Sequence, residues 1–422
     1  MTFPDGFLWG VSTSSFQIEG SLDADGRGQS IWDEFPIETG ETGAVACDHY
    51  RRWQDDVGLI ASLGVNAYRF SLAWPRLMPD GRRVEERGID HYSRLIDALL
   101  ERGIEPLVTL YHWDLPAVLD WRERDTVERF GEYAALCFDR FGDRVNWWIT
   151  INEPWVHGIL GYKDGIHAPG QHDLRGAVIA MHHMLLAHMR AAELRPRGKT
   201  GIAFSLFPTY PASESDADRE AAWICDGYHN RWFLDAVLNG AYPHDMVQRY
   251  EELVGPLDLD GLRAGSDFIG VNYYSRGLIR FDPDGSPFPY HPLSARAEMD
   301  VELTDGGYEI APFGLTDLLV RLKRDYGDVP LVITENGAIY YDAPHDAGRV
   351  EFLRRHVAAV GDAIERGVDV RGDCHWSLMD NFEWAMGYKP RFGLVHVDYE
   401  TQERTVKDSG RAYGEIARRN GL

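Results

Sequence analysis

The segments 145-VNWWITINE-153 and 330-PLVITENG-337 are short, rich in β-branched and aromatic residues, and apolar at successive positions. Successive rather than alternating apolar positions are typical of strands buried on both faces of a parallel sheet. Six further segments share this character, at 7–12, 65–72, 106–113, 200–206, 267–274 and 370–379. The sequence therefore predicts eight strands, most of them buried on both sides.

Helical patterns lie between most of these segments, with apolar residues at three- and four-residue spacing. The clearest examples span 90–103, 127–142, 175–194 and 349–367. Gly103, Gly142 and Gly367 stand where such helices are expected to end. Alternation of strand and helix eight times predicts an α/β protein built as one (β/α)8 TIM barrel over residues 1–422. The long stretch 276–312 is interpreted as an excursion over the rim of this barrel.

Composition and charge restrict the binding partners and the cellular compartment that can be expected. The formal net charge of −24 disfavours binding to nucleic acid or to an anionic membrane surface. No apolar run is long enough for a membrane span, and no signal peptide is visible at the N-terminus. Four widely spaced cysteines indicate free thiols in a reducing compartment, so a cytoplasmic protein is expected. Homo-oligomer formation is left open.

Two glutamates end strands in similar contexts. Glu153 ends the fourth predicted strand and Glu335 ends the seventh. The C-terminal strand ends of a (β/α)8 barrel form its active face. A single glutamate there is more often an ion-pair partner than a catalyst, but two across one barrel mouth form the pair that glycoside hydrolysis needs. One carboxyl would protonate the leaving oxygen, and the other would attack the anomeric carbon or activate water.

Motifs along the whole chain resemble glycoside hydrolase family 1, the β-glucosidase family. The most specific are 150-TINEPW-155, 331-LVITENGA-338 and 376-WSLMDNFEWAMGY-388, and others include 7-FLWGVSTSSFQIEG-20, 109-TLYHWDLP-116 and 267-DFIGVNYY-274. The resemblance implies a retaining exo-β-glycosidase, foremost a β-glucosidase, with β-galactosidase or β-fucosidase activity as variants. It would hydrolyse β-glycosides or short oligosaccharides by double displacement, without a cofactor.

The resemblance also assigns roles to individual residues. Glu153 is expected to be the acid/base and Glu335 the nucleophile, with the two carboxyls about 5–5.5 Å apart. Arg69 and Tyr274 match positions that hold the nucleophile, and the Arg69 cation would favour ionised Glu335. Glu153 must start protonated, so its surroundings should raise its pKa.

A second set of residues matches the family's sugar-binding positions. Gln17 and Glu383 would form hydrogen bonds to adjacent sugar hydroxyls from one side, and Trp376 would lie beneath the sugar ring. A carboxyl at Glu383 would repel a phosphate, so an unphosphorylated sugar is expected. Taken alone, Trp376 and Trp384 fit core aromatics better, but their place in the motif 376-WSLMDNFEW-384 favours sugar binding. The full set is Gln17, His112, Trp113, Asn152, Asn272, Trp376, Glu383, Trp384 and Phe392.

Three other functions have to be considered for this sequence. A catalytically silent sugar-binding barrel would bind ligands without turnover, and a transglycosylase would use the same site with an alcohol as acceptor. A metal site on the helix 175–194 is disfavoured, because His182, His183 and His188 lack the i, i+4 spacing of a zinc pair. No metal ligand is therefore expected.

Overall fold

Eight parallel strands close into a barrel in the computed structural model, which describes residues 1–194 and 196–422. Each strand pairs with the next one along the chain, and the last pairs with the first. The strands are β1 Leu8–Ser12, β2 Ala67–Ser71, β3 Glu105–Tyr111, β4 Trp147–Asn152, β5 Lys199–Ser205, β6 Phe268–Tyr273, β7 Leu331–Asn336 and β8 Val370–Trp376. The predicted (β/α)8 barrel is confirmed.

The predicted strand bounds agree with the structure to within two residues, except at the end of β8. The segment 370–379 was expected to be strand throughout, but β8 ends at Trp376. Beyond it the backbone leaves the barrel. The amide of Ser377 donates to the Phe392 carbonyl and the amide of Leu394 donates to the Ser377 carbonyl. Pairing with a distant segment therefore overrides the local apolar pattern.

Helices pack around the barrel. The main ones are α1 His49–Leu63, α2 Glu86–Leu100, α3 Asp125–Phe141, α4 Leu174–Glu193, α5 Trp232–Leu238, α6 Pro312–Tyr326, α7 Ala347–Glu365 and α8 Asp408–Arg419. The other helical segments are Ser15–Ile18, Ala24–Gly26, Trp74–Leu77, Pro154–Val156, His157–Lys163, Asp216–Asp226, Gly227–Arg231, His244–Val254, Ala295–Glu298 and Trp384–Met386. Among residues 1–194 and 196–422, no helix is both long and apolar enough to cross a bilayer.

The four helices predicted in detail are present as α2, α3, α4 and α7, each beginning slightly earlier than expected. Gly103 and Gly367 follow α2 and α7 with φ of 69° and 84°, a left-handed conformation that ends a helix at little steric cost to glycine. Gly142 directly follows α3 but keeps a right-handed φ of −69°. That helix therefore ends without the left-handed turn that the glycine suggested.

One apolar layer fills the barrel interior. Seven strands contribute one fully buried side chain each, and Leu8 of β1 packs against them; the seven are Ala67, Leu107, Ile149, Ala203, Phe268, Val332 and Cys374. Two residues further along, on the same strand face, three strands carry the polar residues Arg69, Thr109 and Thr334. A Cβ at Gly270 would lie 2.8 Å from Thr334 Oγ1, so glycine there leaves room for this polar layer. The interior thus changes from apolar to polar toward the C-terminal strand ends.

The stretch 276–312 contributes to a small sheet beyond the C-terminal ends of β5 and β6. Strand Gly277–Phe281 pairs with Thr209–Pro211 on one side and with Tyr290–Pro292 on the other. Further along, the Gly306 amide donates to the Ile339 carbonyl, which follows β7. The segment therefore lies against the rim, as predicted. A second small sheet pairs Val395–Val397 with Arg404–Val406.

Candidate active site

The carboxyl of Glu335 at the end of β7 is held from two sides. Arg69 Nη1 donates to its Oε1 at 2.5 Å, and the Tyr274 hydroxyl donates to its Oε2 at 2.6 Å. The Arg69 side chain is fully buried, and its guanidinium also donates to Asn152 Oδ1 at 2.6 Å and to the Thr334 carbonyl at 3.1 Å. A charge-assisted pair of this kind fixes the orientation of the carboxylate.

Glu153 follows β4 with a left-handed φ of 50°, and its amide donates to the Ala203 carbonyl of β5. Asn272 Nδ2 donates to Glu153 Oε1 at 2.9 Å and to Asn152 Oδ1 at 3.1 Å, while its own oxygen accepts from Thr334 Oγ1 at 2.6 Å. The sequence placed Asn272 among the sugar-binding residues. In the structure both ends of its amide contact protein groups, and one of these is the Glu153 carboxyl.

The two strand-end glutamates have different surroundings. Burial raises the pKa of Glu153 from an ordinary 4.5 to about 8, and the negative charge of Glu335 adds to the shift. The single amide hydrogen bond from Asn272 opposes this only in part. Glu335, in contrast, has a guanidinium and a phenol directed at its two oxygens. The pocket therefore contains one carboxyl that favours the protonated form beside one that is paired with a cation.

This raised pKa predicts how stability depends on pH. A carboxyl whose pKa is higher in the folded state stabilises the protein below its ordinary pKa of 4.5, and the benefit is lost as pH rises through about 8. Glu153→Gln removes the ionisation, so the variant should become more stable than the parent by roughly 1–3 kcal/mol near pH 8, with little difference near pH 4.5. Thermal unfolding of both proteins from pH 4.5 to 8 measures this, and a gap that does not change with pH would contradict it.

Asn152 and His112 meet at the same end of the barrel. The Asn152 oxygen accepts from Arg69 and Asn272, which leaves its Nδ2 to donate to His112 Nε2 at 3.1 Å. This assigns His112 Nε2 as an acceptor. Burial and the neighbouring Arg69 charge hold the pKa of His112 well below its usual range, so the ring is neutral.

Gln17 and Glu383 also lie side by side. Gln17 Nε2 donates to Glu383 Oε2 at 3.2 Å and to Asn381 Oδ1 at 3.0 Å, while Ser14 Oγ donates to Gln17 Oε1 at 2.6 Å. Burial, followed by the charge of Glu335, raises the pKa of Glu383 to about 8. Asn381 was not singled out from the sequence, although it stands two residues before Glu383 in the quoted motif. Its amide donates to Ser377 Oγ and to the Met379 carbonyl, which fixes its orientation.

Aromatic rings enclose these polar groups. Trp376 clusters with Ile339 and Phe392, with Tyr274 packed against them, and its ring stacks at 5.8 Å from His112. Trp384 approaches Trp113 at 4.9 Å between ring centroids. Trp384 also stacks on His112 at 6.1 Å, and it packs against two core aromatics, Phe16 at 5.7 Å and Trp32 at 4.6 Å.

Both tryptophans are therefore buried, with exposures of 3% for Trp376 and 2% for Trp384. Trp384 borders the polar pocket and also packs into the main core. For this residue, the interpretations as a sugar-binding residue and as a core aromatic are therefore compatible. Trp376 belongs instead to the small separate cluster beside Tyr274. Trp113 donates through Nε1 to the Asn152 carbonyl at 2.9 Å, so it also supports the β4 end of the site.

The histidines of α4 contact protein groups away from this pocket. His182 Nδ1 lies 3.0 Å from the Tyr242 hydroxyl, and His183 Nδ1 lies 2.7 Å from the Trp121 carbonyl. His188 lies between Thr150 Oγ1 and the Gly265 carbonyl. Each ring therefore takes part in the packing of α4 against its neighbours.

Comparisons with known proteins cover the whole chain. The sequence model of Glycosyl hydrolase family 1 matches residues 1–422. Beta-glucosidase A of Thermotoga maritima is 44% identical, over 100% of this chain and 98% of the relative. The bifunctional beta-D-glucosidase/beta-D-fucosidase of Bifidobacterium breve is 42% identical, over 97% and 96%. The structure of the Thermotoga maritima beta-glucosidase in complex with deoxynojirimycin superposes with a TM-score of 0.94 at 44% identity, covering 100% of this chain and 99% of the other.

Proposed function

Because the chain belongs to glycosyl hydrolase family 1, we propose that it is a retaining exo-β-glycosidase that releases terminal β-D-glucosyl residues. The observation that carries this proposal is the pair of unlike carboxyls in one pocket. Glu335 is paired with Arg69 and Tyr274, while burial raises the pKa of Glu153 to about 8. Retaining glycosidases need one nucleophilic and one protonated carboxyl in the same site.

In the first step, a carboxylate oxygen of Glu335 forms a bond to the anomeric carbon as the bond from that carbon to the leaving oxygen breaks. Glu153 transfers its proton to the leaving oxygen, so the aglycone departs as a neutral alcohol. Arg69 and Tyr274 keep the attacking carboxylate in one orientation, which reduces the entropy that the reaction must lose.

In the second step, water replaces the Glu335 ester. Esterification removes the negative charge of Glu335, which is the second cause of the raised pKa of Glu153. The pKa of Glu153 therefore falls when the intermediate forms, and the carboxylate can accept a proton from the attacking water. Two displacements at the anomeric carbon regenerate Glu335 and give a product with the β configuration of the substrate.

Two polar edges of the pocket would recognise the sugar. Gln17 and Glu383 form one edge, where adjacent acceptor and donor groups suit vicinal hydroxyls. Asn152 and His112 form the other, beside the β4 strand end. The Glu383 pKa already reflects the repulsion of Glu335, and a sugar phosphate placed there would add negative charge. An unphosphorylated glycone, in β-glycosides or short oligosaccharides, therefore fits best.

The anomer formed first tests the proposal. With an aryl β-glucoside, NMR spectra recorded during the first minutes should show β-glucose ahead of α-glucose, because double displacement retains configuration. A buffer sample of α-glucose at the same pH gives the rate of mutarotation and serves as the control. Initial formation of α-glucose would show inversion, and binding without hydrolysis would favour a silent sugar-binding barrel.

We also propose that residues 1–422 form one catalytic domain that works in the cytoplasm. The family match over the full chain supports the first part. Cys47, Cys137, Cys225 and Cys374 are all free and buried, which supports a reducing compartment.

A further inference from the structure

Arg349 of α7 is fully buried, and all five of its N–H groups have acceptors. Its Nε donates to Asp346 Oδ2 at 2.8 Å. The other four N–H groups donate to backbone carbonyls of two chain segments: Ala338, Tyr340 at 3.2 Å, Arg391 at 2.8 Å and Phe392 at 2.9 Å. We refer to Arg349 with these four carbonyls as the Arg349 clasp. A guanidinium has five donors, so the clasp uses its full capacity.

The two segments joined by the clasp form one wall of the pocket. Residues 338–340 continue from the β7 end that carries Glu335, and residue 392 belongs to the sugar-binding set. Between the segments, Ile339 and Phe392 pack against Trp376, and Tyr274 packs against the same cluster. A direct backbone bond from the Tyr340 amide to the Arg391 carbonyl, at 3.2 Å, also joins the two segments. Most of the polar attachment between them therefore passes through Arg349.

The charge of Arg349 is balanced within the same cluster. Asp346 accepts from Arg349 Nε and also from the amide and hydroxyl of Ser409, at 2.9 and 2.6 Å. The guanidinium is thus fixed against α8 on one side and against the pocket wall on the other. Lysine has one point charge and three donors, and its donors do not lie in a plane, so it cannot reproduce this arrangement.

We propose that Arg349 is a positioning residue for the hydrolytic reaction. It holds the wall formed by Ile339 and Phe392 against Trp376 and Tyr274, and thereby sets the height of the sugar ring relative to Glu335. This inference rests on the function proposed above. Arg349 itself does not touch the reacting groups, since its donors are all engaged by the clasp and Asp346. A displacement of the ring by about 1 Å is enough to cost roughly 100-fold in rate.

Arg349→Lys tests the proposal, with Arg231→Lys as a matched control. Arg231 is also buried and donates to Asp226, Asp245 and the Trp223 carbonyl, but it contacts none of the pocket residues. Both variants should lose thermal stability. At a temperature where each is fully folded, Arg349→Lys should lower kcat on an aryl β-glucoside by about 30- to 100-fold with little change in KM. Arg231→Lys should keep the kcat of the parent.

Amide hydrogen exchange gives a readout that does not depend on activity. In Arg349→Lys, the Tyr340 amide should exchange faster than in the parent, because its bond to Arg391 loses the surrounding clasp. Faster exchange together with the fall in kcat supports the proposal. Faster exchange with unchanged kcat would assign Arg349 a purely structural role, and unchanged exchange would show that the clasp does not hold the wall; either result overturns the proposal.

A second variant and the activity of the parent protein cover the cases in which Arg349→Lys cannot be interpreted. If Arg349→Lys does not fold, Asp346→Asn can be used, because it keeps the Arg349 guanidinium but removes its counter-charge. This variant should lower kcat by about 10-fold, since the guanidinium is then held less firmly in its orientation. An unchanged kcat in folded Asp346→Asn would then overturn the proposal. Failure of the parent protein itself to hydrolyse any aryl β-glucoside would instead refute the proposed function, and the exchange measurement would still report on the clasp.

Discussion

Glu335→Gln is expected to lower kcat on an aryl β-glucoside by roughly 10⁵-fold, which is the scale seen when a covalent nucleophile is removed from a hydrolase. Glutamine has nearly the same size, and its oxygen can still accept a hydrogen bond from Arg69 or Tyr274. Its neutral amide cannot form the glycosyl ester, so the first displacement has no nucleophile. Steady-state kinetics on a substrate with an activated leaving group measure the loss.

A matched variant separates loss of the nucleophile from loss of a buried ion pair. Glu85 is buried and paired with Arg87 at 2.8 Å, but it lies at the start of α2 and outside the pocket. Glu85→Gln should change kcat by less than about threefold, because its ion-pair partners Arg83 and Arg87 are not among the pocket residues. Glu335→Gln should also still bind glucose with an affinity close to that of the parent. Near-normal turnover in Glu335→Gln would remove this residue from the mechanism.

Glu153→Ala is expected to have an effect that depends on the leaving group. With an alkyl glucoside, whose leaving oxygen needs a proton, kcat/KM should fall by about 10³- to 10⁴-fold. With a dinitrophenyl glucoside the leaving group departs without assistance, so kcat/KM should stay within about tenfold of the parent while kcat falls, because hydrolysis of the ester lacks its base. Added azide needs no base, and it should restore turnover and give a β-glycosyl azide.

The same variant gives a prediction about pH. Burial and the Glu335 charge raise the pKa of Glu153 to about 8, so the parent should lose kcat/KM on its alkaline side as this carboxyl ionises. Because the two glutamates interact, the observed value belongs to the pair. In Glu153→Ala, assayed with the dinitrophenyl substrate, the alkaline limb should disappear. An alkaline limb that persists would identify a different titrating group.

The fold could be predicted because the barrel strands have an unusually clear apolar sequence pattern. Runs such as 145–153 and 330–337 are apolar at almost every position, since helices cover one face of the barrel and the opposite barrel wall covers the other. The error at residues 377–379 has the same origin. Their apolar character is real, but they pair with the segment around Phe392 and Leu394, and no local pattern indicates that long-range partner.

The candidate site was only partly predictable. Glu153, Glu335 and Glu383 stand in distinctive motifs, so their positions could be read from the chain. The roles of Asn272 and Asn381 could not, because they follow from which neighbouring side chain each amide faces. No sequence pattern indicated a role for Arg349. It acts on backbone carbonyls, which every residue possesses, and its partners lie up to 43 residues away in the chain.

The role of Glu335 as nucleophile is tested most directly by identifying the residue that becomes glycosylated. A 2-deoxy-2-fluoro-β-glucoside with a dinitrophenyl leaving group destabilises both transition states but leaves the first step feasible, so the glycosyl-enzyme should accumulate. Peptide mass spectrometry should then find one fluoroglucosyl group per chain, attached to Glu335 in the sequence ITENG, with the label absent from Glu335→Gln. A label on another residue, or continued turnover of natural substrate with no covalent species detected, would contradict the double-displacement mechanism proposed here.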